Sequence, residues 1–301
     1  MPCFSRQDHG LGVVDSPYLV PFDGTFELDH APTAPPHGAG SDKDLKRDLK
    51  GETQGLRELL EPMYANPTWS VLCVFQAMDA AGKDSTIRSV FRHLDPNAVK
   101  VFAFKKPSRE ELDHDFLWRC YRRLPRRGQI GVFNRSHYED VLVVRVHPQF
   151  LGSAKLPQRP PLGDLWKQRY DSIREFERHL FRNGTLVLKF FLNVSADEQR
   201  RRFLRRYDRP DKRFKFSTND VAQRDHWGAY MQAYQDALSE TSRAYAPWYA
   251  IPADSKPFMR ATVASIVRRA VERLEPRFPE PDPETAKEQR KVAERLRDGR
   301  G

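Results

Sequence analysis

The stretch FQAMDAAGKDST, Phe75 to Thr86, decides how this chain folds. Ser70 to Gln76 is apolar on both alternating faces, as a central parallel strand covered by helices on each side must be. Ala77 to Lys83 then supplies small residues, and Ile87, Val90, Phe91 and Leu94 follow at helical spacing. Strand, turn and helix in that order bring backbone N–H groups and the positive end of a helix to one point, which suits a bound phosphate. Lys83 adds a full charge. The stretch departs from the Walker A form G-x-x-x-x-G-K-[ST]. Ala77 stands at the first glycine and Asp84 where a hydroxyl is expected, with Ser85 and Thr86 following late. Asp79 carries the most information. A carboxylate inside an anion cradle repels phosphate by about 1 to 4 kcal/mol at ~4 Å unless a metal ion or a reactant intervenes. The loop therefore reads as built for phosphoryl transfer with Mg²⁺ rather than for passive anion holding. A helix-opening turn with a solvated Lys83 is the plainer alternative.

The 301 residues can hold one large α/β domain with a buried core, or two small ones, and a single such loop occurs. No internal repeat, bilayer-length apolar run or signal peptide is evident, so a cytoplasmic location is expected. Cys3, Cys73 and Cys120 are odd in number and too dispersed to ligate a metal, which suits a reducing compartment. A net charge of +10 points to an extended anion as partner, whether nucleic acid, an anionic membrane surface or polyphosphate, or else to a solvated basic surface.

Residues 1–40 carry six prolines and little periodicity, and read as an irregular arm draped over the domain without a catalytic group. Ser41 opens a helix, with Asp44 completing a capping box and Leu45, Leu49, Leu56, Leu60 and Met63 forming its apolar face; Gly51 and Gly55 weigh against it. Val99 to Phe104 is a second strand. Lys105 and Lys106 follow it at the sheet edge where open α/β folds bind ligands. Arg109 to Leu124 is expected to be one helix burying Leu112, Phe116, Leu117 and Tyr121, with Arg119, Arg122, Arg123, Arg126 and Arg127 clustered around its end.

Ile130 to Arg135 is the third strand and runs into FNRSHYEDVLVVRVH. No acid ends it; Arg135 does, at the same sheet edge, where a fixed charge could bridge two phosphates. His137, Glu139 and Asp140 begin a helix with Val141, Leu142, Val144 and Val146 in the core, while His9 and His147 are too isolated to ligate a metal. Leu165 to Asn183 is helical, Thr185 to Val194 is the fourth strand, and Ser195 with Glu198 forms a capping box. Arg200 to Phe216, RRRFLRRYDRPDKRFKF, sets nine basic residues against Asp208 and Asp211, with Pro210 breaking the helix. Following a fourth strand, such a segment reads either as a mobile lid that closes over phosphates or as a solvated charge run. Thr218 to Arg243 is helical with Trp227, Tyr230, Met231, Tyr234 and Leu238 packed inward. Trp248 to Pro252 is the fifth strand, Ala261 to Leu274 the closing helix, and 279–301 a charged tail.

AMDAAGKDST, FKKPSREELDHDFLWR, IGVFNRSHYEDVLVVRVHP and RFLRRYDRPDKRFKFS, in this order, resemble the second family of polyphosphate kinases from about Asp42 to Phe278. The resemblance implies a P-loop kinase-like α/β fold, a parallel sheet of about five strands sandwiched by helices, with a basic helical lid. It implies transfer of the terminal phosphoryl group of polyphosphate to nucleotides, with Mg²⁺ or Mn²⁺ as cofactor. AMP, ADP and ATP are the implied nucleotide partners, in a homo-oligomer (dimer or tetramer) without nucleic acid or membrane. Asp79 then orients or deprotonates the acceptor and engages the metal, Lys83 holds the migrating phosphate, and Arg135 lies between donor and acceptor. Ala80, Ala81, Gly82, Asp84 and Ser85 surround the phosphates. Glu139 sits near the nucleobase with Tyr138 and Asp140 beside it, and the E-D pair resembles the subgroup accepting both AMP and ADP. Arg205 and Arg206 cover the site from the lid, and Lys105, Lys106, Arg119 and Arg123 line the polyphosphate channel. An ATP-dependent nucleoside monophosphate kinase shares this layout and differs in its donor. A non-enzymatic polyanion or nucleic-acid binder accounts for the charge but not for Asp79. No guanine-specific N-K-x-D follows the fourth strand, which disfavours a GTPase.

Overall fold

Five strands form a single sheet in which every pairing is parallel, in the order β2-β3-β1-β4-β5. The computed structural model describes residues 10–158 and 160–299; the readings of Cys3 and His9 lie outside the described residues. The strands are β1 (Ser70–Gln76), β2 (Val99–Ala103), β3 (Ile130–Asn134), β4 (Thr185–Asn193) and β5 (Trp248–Pro252). β1 lies between β3 and β4, and all of its residues are buried, as are all of those in β4. Parallel strands need crossovers, so helices cover both faces and every carboxyl end emerges at the same edge. That edge positions the 77–83 loop, Arg135 and the basic segment.

The helices are α1 (Asp42–Ala65), α2 (Lys83–Phe91), α3 (Arg109–Leu112), α4 (Trp118–Tyr121), α5 (Val143–Val146), α6 (Leu162–Arg182), α7 (Ala196–Asp208), α8 (Thr218–Ala222), α9 (Trp227–Thr241), α10 (Lys256–Glu272) and α11 (Pro283–Arg297). Ser41 and Asp44 form the expected reciprocal capping box on α1. Gly55 does not weaken that helix but admits its neighbour: a Cβ there would stand 2.8 Å from Cδ of Arg268 on α10.

Four helical expectations are corrected. Residues 109–124 are not one helix, because the Asp115 carboxylate accepts the Leu117 amide at 2.9 Å and offers the backbone a local turn instead. Tyr121 is consequently exposed rather than buried. Residues 218–243 divide into α8, a 3-10 turn at Gln223–His226 and α9. The closing helix begins five residues earlier than expected, at Lys256, with Ser255 accepting the Phe258 amide as its cap. At the end of β3, His137–Asp140 is a 3-10 turn, and Val144 and Val146 are half-buried.

The arm is part of the core. Val14, Val20 and Leu28 are buried, and the chain pairs with the outer edge of β5 through Val20 N–H to Trp248 O at 2.9 Å and Ala250 N–H to Tyr18 O at 2.8 Å. Asn193 on β4 reaches the carbonyls of Ala31 and Pro32. An open parallel edge is a template for wrong pairing, and the arm covers it. Burying the three apolar side chains contributes about 4 to 8 kcal/mol as an upper estimate. Removal of residues 1–40 should therefore lower the melting temperature by about 10 °C or more, whereas removal of 279–301, whose α11 has no buried residue, should leave it unchanged; scanning calorimetry of the two truncations checks this.

Candidate active site

Gly82 begins the site, because its φ of 111° is open to glycine and turns β1 into α2. Ala80 is also left-handed, at φ 62°, a conformation costing an L-residue of order 1 to 3 kcal/mol and kept only where the surroundings over-determine it. Lys83 folds back over the loop it follows. Its Nζ donates to the Ala77 carbonyl at 2.5 Å and lies 3.5 Å from that of Met78. Burial, and secondarily the positive charge of Arg135, pull its pKa down to about 8.

Arg135 stands across from this loop, one residue beyond β3, with φ 65°. Its amide donates to Phe75 O on β1 at 3.0 Å, which fixes the backbone in that unusual conformation. Its guanidinium spans two carboxylates, Nη2 to Asp79 at 2.7 Å and Nη1 to Glu139 at 2.9 Å. Glu139 above all, and then Asp79, hold it charged beyond the ordinary arginine range. Asn134 donates to Asp84 at 2.7 Å, so the residue at the end of β3 is tied to the start of α2.

The loop and Arg135 open into a cavity of about 610 Å³, and Glu139 is not among the residues that line it. Of the expected phosphate-facing residues, Ala80, Gly82, Lys83, Asp84, Ser85, Lys105, Arg205 and Arg206 line it together with Asp79 and Arg135. Ala81 is fully buried and offers its carbonyl to Arg202 instead. Lys106 and Arg123 are exposed and stand outside the cavity, Arg123 over the Phe102 ring. Arg119 is corrected from a channel residue to a buried one, 6 % exposed, with Nη1 donating to Lys105 O at 3.1 Å and its guanidinium over the Phe104 ring.

Sequence reasoning missed Arg88, Arg202, Lys212, Lys215, Asp220 and Lys256 as members of the cavity. Arg88 could have been found one helical turn beyond Asp84 on α2, and Lys212 and Lys215 lie in the basic segment already singled out. Lys256 gave no signal until β5 placed it at the shared edge. Its pKa is lowered to about 8 by burial and then by the surrounding cations, Arg202 foremost.

Tyr138 is corrected from a nucleotide-facing residue to a core one. It is fully buried, and its hydroxyl lies 2.9 Å from Glu177, 2.8 Å from Thr241 and 2.9 Å from Lys189 Nζ. Lys189, equally buried on β4, also donates to Glu177 at 2.5 Å and to Thr241 O at 2.8 Å. Polar groups removed from water must find partners, and this closed set anchors the turn that carries Arg135 and Glu139. Lys189 was visible as the one charge in a strand whose residues from Leu186 to Leu192 are otherwise apolar. Asp140 also turns away from the main cavity. It pairs with Arg169 at 3.4 Å beside a separate hollow of about 220 Å³, and burial raises its pKa to about 6.

An anion cradle, the carboxylates of Asp79 and Asp84 and a cationic rim in one hollow are equipment for moving a phosphoryl group between two phosphate-bearing molecules. Comparison with known proteins agrees. A profile of the polyphosphate kinase 2 family matches residues 39–279. The chain is 49% identical over 249 residues to an ADP-polyphosphate phosphotransferase of Rhodopseudomonas palustris, covering 82% of this chain and 86% of that one. It is 44% identical over 272 residues to an AMP/ADP-polyphosphate phosphotransferase of Meiothermus ruber, covering 90% and 97%. The crystal structure of polyphosphate kinase 2 from Arthrobacter aurescens superposes with a TM-score of 0.80 at 36% identity, covering 90% of this chain and 93% of that one. The parallel fold, the loop and the sequence relationship converge on one assignment: this chain belongs to the polyphosphate kinase 2 family.

Proposed function

We propose that this chain phosphorylates both AMP and ADP from polyphosphate, reversibly and by in-line transfer, with Arg205 and Arg206 on a lid over the reacting phosphates. Membership of its family makes it an enzyme that transfers phosphate between polyphosphate and nucleotides. The observation that carries the finer reading is the charge of the cavity. Lys83, Arg88, Lys105, Arg135, Arg202, Arg205, Arg206, Lys212, Lys215 and Lys256 face Asp79, Asp84 and Asp220. Ten cations against three carboxylates exceed what one nucleotide neutralises, and a polyanion beside a nucleotide balances them. The Glu139 carboxylate beside Arg135 and the relative named for both AMP and ADP support dual acceptance.

The oxygens present fit Mg²⁺, or Mn²⁺ in its place. Asp79 and Asp84 are hard carboxylate donors at the loop, and no cluster of three or more ligating side chains is found among the described residues. Mg²⁺ characteristically takes one or two carboxylates and completes its shell with water and substrate phosphates. Asp79 with Asp84 would hold it, and bound there it would neutralise charge on the phosphates. The chain's own residues do the rest: Lys83 and the loop amides orient the migrating phosphate, Arg135 spans its neighbours, and the lid excludes water.

We also propose a homo-oligomer, dimer or tetramer, supported by the outer edge strand β2, where Val101 is 50% exposed. Unbridged Cys73 and Cys120 support a reducing, cytoplasmic setting; no described helix is long and apolar enough to cross a membrane.

Purified protein given polyphosphate, Mg²⁺ and AMP without ATP should form ADP and then ATP. Formation of ADP alone would overturn dual acceptance, and a requirement for ATP as donor would restore the nucleoside monophosphate kinase reading. The two depressed amines give a second expectation. Lys83 and Lys256 are charged below about pH 8 and lose protons above it, so bound phosphate must pull protons back at alkaline pH. Affinity for long-chain polyphosphate, whose internal phosphates keep a fixed charge, should fall between pH 8 and 9.5 with a log–log slope approaching about two. Lys256→Arg, which fixes one charge, should reduce the slope to about one in a titration followed by calorimetry.

A further inference from the structure

We propose that Gln199 and Arg202, on the first two turns of α7, are positioning residues that set the 77–83 loop for phosphate by holding its carbonyl groups from behind. The proposal rests on reading that loop as the phosphate cradle. Gln199 Nε2 donates to Asp79 O at 2.8 Å. Arg202 Nη1 donates to Ala81 O at 2.5 Å and to Ala80 O at 3.3 Å, while its Nη2 reaches Ala253 O at 2.5 Å and Asp254 O at 3.2 Å beyond β5. Its Nε donates to Glu198 at 2.8 Å, so every nitrogen of the guanidinium is engaged. Both side chains are buried, at 1 % and 3 % exposure.

The consequence follows from peptide geometry. All peptide bonds described here are trans, and in a planar trans peptide the C=O and the following N–H point in opposite directions. Three consecutive carbonyls drawn toward α7 therefore dictate where three amides go. The Ala81 amide closes a turn on Met78 O at 3.2 Å. Those of Ala80 and Gly82, two residues that line the cavity, are aimed away from α7 as donors for a phosphate oxygen. The left-handed Ala80 is kept in place by these same bonds. Glu198 contributes at the other end: its amide caps α7 through Ser195 while its carboxylate holds Arg202. One turn further along the same helix are Arg205 and Arg206. A single helix thus sets the floor of the site with one pair of side chains and supplies its cationic wall with the next.

Arg202 also lines the cavity, and a direct phosphate contact is the rival explanation. Hydrogen exchange of the ligand-free protein separates the two. In Arg202→Lys, whose ammonium cannot serve both carbonyl pairs at once, amides 79–83 and 253–254 should exchange at least roughly tenfold faster, with β1, β3 and β4 unchanged. Turnover at saturating substrates should fall by about tenfold or more. Gln199→Leu should loosen the amide of Ala80 alone, and keeps the test usable if the arginine variant folds poorly. Unchanged loop exchange with weakened polyphosphate binding would make Arg202 a direct ligand and overturn the proposal. Faster exchange throughout the sheet would make it a general stabiliser and overturn it equally. Wild-type turnover in the same assay judges the phosphotransfer reading separately, because the exchange experiment needs no substrate.

Discussion

The guanidinium of Arg135 held between Asp79 and Glu139 is the interaction on which the rest of the site depends. Asp79 sits in a loop designed by backbone and charge to attract anions, and alone it would oppose them. Arg135 compensates that carboxylate and is itself held charged by Glu139 above all and then by Asp79, so the three residues form one unit. The pair exists because β1 and β3 are adjacent and parallel, which delivers the turn after each strand to the same edge. The Arg135 amide bonded to Phe75 O draws the two turns together.

Below this edge the sheet is not uniformly apolar. Lys189 and Glu177, both fully buried and paired at 2.5 Å, are costly to desolvate, and such pairs are weak evidence for stability. Their partners show what they accomplish: Tyr138, Thr241 and, through the hydroxyl of Thr241, Nε1 of Trp248 are tied into one network. The turn bearing Arg135 and Glu139 is pinned from beneath by Tyr138, while α7 pins the 77–83 loop from the side. Two rigid supports hold the opposed carboxylates and cations near each other before any phosphate arrives, which is the preorganisation that phosphoryl transfer requires.

The five strands and the 77–83 loop were legible because their signals are local: two-sided apolar runs, a small-residue turn and a helical stripe. The Ser41 cap was equally legible. What escaped depended on distance. Nothing in Arg119 itself distinguishes a channel arginine from one lying over Phe104 with its hydrogen bond to Lys105 O. The single helix expected over 109–124 failed because the Asp115 turn competes with helix at the same spacing. Tyr138 is buried in the core while the next residue, Glu139, pairs with the Arg135 guanidinium, and adjacency in sequence does not separate the two environments. Lys256 entered the site only through the sheet order. The arm's place in the core was not legible because its three buried apolar residues are separated by prolines and glycines, and their partners on β5 and α9 are more than 200 residues away in sequence.

The measurement that bears most directly on this account is turnover and polyphosphate affinity of Asp79→Asn at saturating Mg²⁺. The amide keeps the shape of the side chain and removes the charge that Arg135 compensates. Turnover should fall by about a hundredfold or more while polyphosphate binds as tightly as before or more tightly, since a repulsive charge has left the cradle. A folded Asp79→Asn protein that turns over at the wild-type rate would contradict the central role given to the Asp79–Arg135–Glu139 chain.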